Sequence, residues 1–78
     1  MARIDLDSTV LAWVRYLPEQ RVLQIGLRTG NDYEYFDVPP RTFRELLASE
    51  SKGRYYNSHI RKGFQFSKLQ TRSATGEN

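Results

Sequence analysis

Two consecutive prolines, Pro39 and Pro40, divide this chain into a first half that repeats at period two and a second half that repeats at the period of a helix. Proline cannot donate to a strand ladder, and its φ is preset for the first helical turn, so a strand has to end at the pair and a helix can begin there. Upstream, Leu23, Ile25 and Leu27 alternate with Gln24 and Gly26, the pattern of a strand with one apolar face. Arg28-Thr29-Gly30-Asn31 is a hairpin signal because Gly and Asn accept positive φ, and residues 32–38 follow as the next strand. Residues 9–17 are rich in β-branched and aromatic side chains, as strands are. Their faces are mixed: Val10, Ala12, Val14 and Tyr16 lie on one side, and Leu11, Trp13 and Leu17 on the other. A β-bulge, or a second apolar contact made by Trp13, accounts for that mixture. Pro18-Glu19-Gln20 supplies the intervening turn, and residues 1–7 read as a frayed lead-in.

Beyond the prolines, Phe43, Leu46 and Leu47 recur at i, i+3 and i+4 within residues 41–50, so one helical stripe packs on the sheet. Ser51 is a natural N-cap for a second, shorter helix reaching about Ile60, with Tyr56 and Ile60 on its buried side, Tyr55 and His59 alongside, and Gly63 as the C-cap. Phe64-Gln65-Phe66 alternates and can dock as a brief additional strand. The expected architecture is α+β: a three-stranded antiparallel meander followed by two short helices, with room for a short fourth strand. Residues 1–69 form the single domain, and the polar, small residues of 70–78 are expected to be a disordered tail. The two tyrosines Tyr33 and Tyr35 share one strand face, where they are expected to cover the sheet as aromatic pairs rather than to contact a ligand.

Composition narrows the function. With 78 residues, 38% hydrophobic and 27% charged, there is room for one small domain and no apolar run of transmembrane length. A domain of this size buries only about 60% of its unfolded surface, and the ten aromatic residues (five Tyr, four Phe, one Trp) supply the bulk that a small core needs. Cysteine is absent and histidine occurs once, which leaves no thiolate chemistry and no usual metal-ligand set. The opening Met1-Ala2-Arg3-Ile4-Asp5 lacks the apolar run of a signal peptide, and a cytoplasmic location is expected. No catalytic or phosphate-loop spacing occurs, so neither an enzyme activity nor a cofactor is expected.

Positive charge is local. Residues 51–72 hold Lys52, Arg54, Arg61, Lys62, Lys68 and Arg72 and no acid, whereas residues 1–50 hold six basic and eight acidic side chains, a balance of −2. Interleaved with Tyr55, Tyr56, Phe64 and Phe66, these cations suit a polyanion, because ammonium and guanidinium groups meet phosphates and flat rings stack on bases. The candidate nucleic-acid-binding residues are therefore Lys52, Arg54, Arg61 and Lys62 for phosphates, Tyr55 for stacking if it points outward, and Asn57 for a base edge or the local backbone.

The Tyr-x-Tyr of Tyr33 and Tyr35, the step Val38-Pro39 and the run Ser51-Lys52-Gly53-Arg54-Tyr55-Tyr56-Asn57-Ser58-His59-Ile60-Arg61 together resemble a KTSC domain. That family takes its name from the C-terminal domain of certain lysyl-tRNA synthetases and also occurs as small free-standing proteins. The resemblance covers residues 8–69, with the pair Ser8-Thr9 where two serines are usual, an aromatic at Tyr16, Trp13 where a small residue is commoner, and Tyr56 where Phe is usual. It implies a compact domain for which RNA binding has been suggested. The expectation is a small non-catalytic module that binds RNA or another nucleic acid through its basic, aromatic-rich C-terminal region. The alternative is a protein-interaction module docking on a larger assembly through the basic helix or Trp13. Neither a membrane nor a small-molecule substrate is implied.

Overall fold

A computed structural model describes residues 3–69. Its strands are β1 (Ile4–Asp5), β2 (Leu11–Leu17), β3 (Val22–Leu27), β4 (Asp32–Tyr35) and β5 (Phe66–Lys68), with the helices α1 (Pro40–Ala48) and α2 (Lys52–Tyr55) between β4 and β5. The α+β class is as expected, but the sheet has five antiparallel strands in the order β1-β2-β3-β4-β5 rather than three or four. Both additions are edge strands. β1 lies in the segment read as a frayed lead-in and pairs Ile4 with Val14 and Asp5 with Trp13. β5 starts where the Phe64-Gln65-Phe66 alternation ends and sets Phe66 opposite Tyr35. Strands of two and three residues are held by the ladder beside them, so the edges carry little period of their own. The tail at 70–78 lies outside the described residues.

A register shift between Leu11 and Trp13 resolves the mixed faces of the first long strand. The extra residue turns Leu11 to the same side as Val14 and Tyr16, and all three are buried. Trp13 is left on the opposite face above Gly26, whose missing side chain makes the space for the indole ring. The guanidinium of Arg3 sits 4.9 Å from the centre of that ring. The hairpin after β3 is as read: Gly30 has φ 102°, and the Leu27 N–H donates to the Asn31 carbonyl at 2.9 Å. β4 is shorter than the expected 32–38 because Asp37 takes φ 58°, which breaks the strand and swings Val38 into the core.

One sheet face packs under the helices. Leu11, Val14, Tyr16, Leu23, Ile25 and Tyr35 from the strands meet Phe43 and Leu46 from α1 and Tyr56 and Ile60 from the turn after α2. The rings of Tyr16 and Phe43 stack at 4.9 Å, and the Tyr16 hydroxyl donates to the Val38 carbonyl at 2.6 Å, so the strand is tied to the chain just before the two prolines. α1 takes Pro40 at its start with no side-chain cap, as a helix led by proline can. The Ser51 Oγ accepts from the Arg54 N–H at 3.3 Å, the N-cap expected from the sequence.

Candidate functional site

The segment after α2 is a π-helical turn, Tyr56–Ile60, closed by the Arg61 N–H donating to the Tyr56 carbonyl at 2.8 Å. Single π turns are uncommon and often sit at functional sites. Here the turn sorts its residues into three directions. Tyr56 and Ile60 are buried against the sheet. Tyr55 and His59 stack face to face at 4.3 Å on one flank. Asn57 and Arg61 stand exposed on the side of an open groove. Gly63 ends the segment by close approach rather than by a left-handed φ, since a Cβ there would lie 2.6 Å from the His59 carbonyl oxygen.

The groove has a volume of about 590 Å³. Its floor is aromatic: Phe66 packs 5.7 Å from Tyr33, edge to face, and 5.7 Å from Tyr35. Tyr35 is 2% exposed, whereas Phe66 keeps 56% of its surface open. Tyr35 thus belongs to the core, as expected, and Tyr33 is half-buried against it. Arg61 and Asn57 line the groove from the helical segment and Arg28 and Thr29 from the hairpin, and no carboxylate lines it among the described residues. The Arg28 guanidinium is fixed by two main-chain acceptors, the Ser8 carbonyl at 2.9 Å and the Leu6 carbonyl at 2.7 Å. The Asn57 amide makes no hydrogen bond to any described residue, and the residue is exposed.

The remaining candidates lie elsewhere. Lys52 is half-buried, and its ammonium donates to the Ser49 carbonyl at 3.2 Å, capping the end of α1. Lys52 and Arg54 border a second hollow of about 290 Å³ that also carries Asp7 and Glu50, a wall of mixed charge. Lys62 is exposed beyond the π turn. The Tyr55 hydroxyl donates to Glu45 Oε1 at 2.7 Å, so this ring is held between α1 and His59. Burial, then the hydrogen bond to Glu45 and the charge of that carboxylate, push the Tyr55 phenol up to about 12. The structure therefore joins Asn57 and Arg61 at one groove, sets Asn57 also beside Lys52 and Arg54 at the second hollow, and leaves Tyr55 and Lys62 elsewhere on the helical segment.

Two parts of the groove were not legible as a site. Arg28 reads only as a hairpin residue, because its approach to Arg61 depends on how the hairpin meets the helical segment. Phe66 stands in the sequence among the aromatic residues of the basic stretch, but its place beside the Tyr-x-Tyr strand follows from β5 pairing. The run Ser51-Lys52-Gly53 has a structural explanation throughout: the cap, the contact to Ser49, and a glycine at which a Cβ would lie 2.8 Å from a Val10 methyl.

Among known proteins, the KTSC domain family matches residues 7–64. The chain is 33% identical over 60 residues to a protein of Tsukamurella paurometabola, covering 77% of this chain and 90% of that one. It is 39% identical over 57 residues to an uncharacterized protein of Stutzerimonas stutzeri, covering 73% and 80%. A lysine–tRNA ligase of Nostoc punctiforme is 33% identical over 63 residues, 81% of this chain but only 11% of the ligase. Among solved structures, the crystal structure of a KTSC domain protein from Yersinia pestis superposes with a TM-score of 0.86 at 29% identity, covering 88% of this chain and 97% of that one.

Proposed function

The chain belongs to the KTSC domain family, and from that premise we propose that it is a small non-catalytic module that binds single-stranded RNA. The observation that carries this reading is the grouping of Arg61, Asn57 and the open ring of Phe66 at one groove, with no carboxylate on its wall among the described residues. Guanidinium groups neutralise phosphates, exposed rings stack on unpaired bases, and a free amide meets a base edge. Arg54 and Lys62, exposed on the same helical segment, extend the positive surface for neighbouring phosphates. The likeness to part of a lysine–tRNA ligase, a protein that acts on RNA, supports the choice of ligand.

The non-catalytic reading is supported by the surroundings of the one histidine. His59 is exposed, its ring rests on Tyr55, and no described hydroxyl is hydrogen-bonded to it. A general base needs a nucleophile within hydrogen-bond reach and a site that excludes water. Trp13, the other anchor considered for a protein partner, is half-buried between Gly26 and Arg3, which weighs against docking through that ring.

The test is an anisotropy titration of the full chain against a labelled oligouridylate and against a duplex RNA of equal charge. Tighter binding of the single strand is expected, since only unpaired bases can reach the aromatic floor. Equal binding of both would reduce the interaction to charge alone, and binding of neither would favour a protein partner.

A further inference from the structure

We infer that the groove between the Arg28 hairpin and the π turn holds one unstacked nucleotide of the bound strand, its base laid on Phe66 and its phosphate between Arg28 and Arg61. This rests on the RNA-binding reading above and assigns that reading a place and a stoichiometry. The groove volume of about 590 Å³ falls within the roughly 300–1,000 Å³ of sites that enclose a small ligand. Among the described residues, Phe66 is the one aromatic ring of the groove that stays largely open, so it offers a stacking surface for one base. Tyr35 cannot be the reading surface, because it is buried and its hydroxyl is engaged with that of Tyr56 at 2.6 Å. Phe66 can, since Tyr33 meets it edge to face and more than half of its surface stays open.

The polar groups complement a nucleotide. Asn57 offers an amide donor and acceptor with no protein partner among the described residues, the pairing that a base edge satisfies. Arg28 is held by the Leu6 and Ser8 carbonyls, so its positive charge stands at the rim already oriented and little side-chain freedom is lost on binding. Arg61 lines the same groove from the helical segment. By contrast, the second hollow beside Lys52 and Arg54 includes Asp7 and Glu50, which would repel a phosphate.

Two measurements on the full chain decide the matter. In an NMR titration with uridine 5′-monophosphate, saturable shifts are expected at the Arg61 backbone and the Phe66 ring, which line this groove and not the second hollow, together with the Asn57 side-chain amide, which borders both. Shifts confined to the Lys52 and Arg54 hollow, or none, would overturn the inference. In the second measurement, Phe66→Leu keeps an apolar side chain at an exposed position, and Asn57→Asp keeps the shape of the amide while adding a negative charge; thermal melts confirm that both fold. Each is expected to weaken oligouridylate binding, the ring loss by roughly fivefold to a hundredfold. Wild-type affinity in both variants would remove the groove from the account while leaving RNA binding by the basic helix intact. Failure of the unaltered chain to bind the oligonucleotide would instead remove the RNA reading and this inference with it.

Discussion

The hydroxyls of Tyr35 and Tyr56 lie 2.6 Å apart in the core, the rings edge to face at 5.9 Å, so one hydrogen bond joins the central Tyr-x-Tyr strand to the π turn. Each hydroxyl is the other's partner, and both residues are buried. Tyr56→Phe is therefore expected to cost about 1–3 kcal/mol in denaturant unfolding, because the Tyr35 hydroxyl is left buried and unpaired. Changing both tyrosines to phenylalanine should cost less than the two single changes added together, a coupling that a double-mutant cycle reads directly. Additive single effects would show that the bond contributes nothing. Truncation is a larger insult: Tyr35→Ala is expected to lose about 3 kcal/mol or more through the cavity it opens.

Alkaline pH tests the same region. Burial, followed by the hydrogen bond to Tyr56, raises the Tyr35 phenol above its ordinary value of 10.0, and burial with Glu45 takes Tyr55 to about 12. Both shifts favour the neutral phenol in the folded state. Their contribution to stability is whole below pH 10, the value in the unfolded chain, and is lost as pH rises towards 12 and beyond. Tyr35 and Tyr55 should ionise well above pH 10 in a near-ultraviolet titration, with unfolding accompanying the step. Ionisation of Tyr35 and Tyr55 near 10 would contradict the environments described.

Gly53→Ala addresses how the helical segment is seated. A Cβ there would meet the Val10 side chain at 2.8 and 2.9 Å, closer than packed atoms allow. The α2 segment would have to lift from β2, at an expected cost of about 1–3 kcal/mol. Because Val10 also lines the groove, RNA affinity should fall along with the melting temperature. An unchanged melting temperature would mean that this contact is slack.

The sequence made the central elements legible for a physical reason: β3, α1 and the capped α2 each carry their own period, turn residue or cap. Leu23 and Ile25 announced a buried strand face, Phe43 and Leu46 a helix stripe, and Ser51 a helix start, and each side chain stands where its pattern put it. What escaped depends on neighbours distant in sequence. β1 has two residues and no alternation of its own, and exists because β2 offers it a ladder. The burial of Leu11 follows from a register shift beside the contact of Trp13 with Gly26, a relation between two strands rather than within one. The π turn was read as a plain continuation of the helix, because the buried spacing of Tyr56 and Ile60 is the same in both. The groove escaped most fully, since Arg28, Asn57 and Phe66 come from a hairpin, a helical turn and an edge strand, and no local pattern links the three.

The most direct test of the account is the salt dependence of single-stranded RNA binding in two triple variants. The first replaces Arg54, Arg61 and Lys62 by Gln, and the second replaces the equally exposed Arg21, Arg41 and Arg44. If each residue of the first set meets one phosphate, the slope of log affinity against log salt shrinks by roughly 0.7 per residue, about 2 in all, while the melting temperature stays put. The second set should leave the slope nearly unchanged. An equal loss of slope in both variants, or in neither, would contradict an RNA-binding surface centred on the π turn.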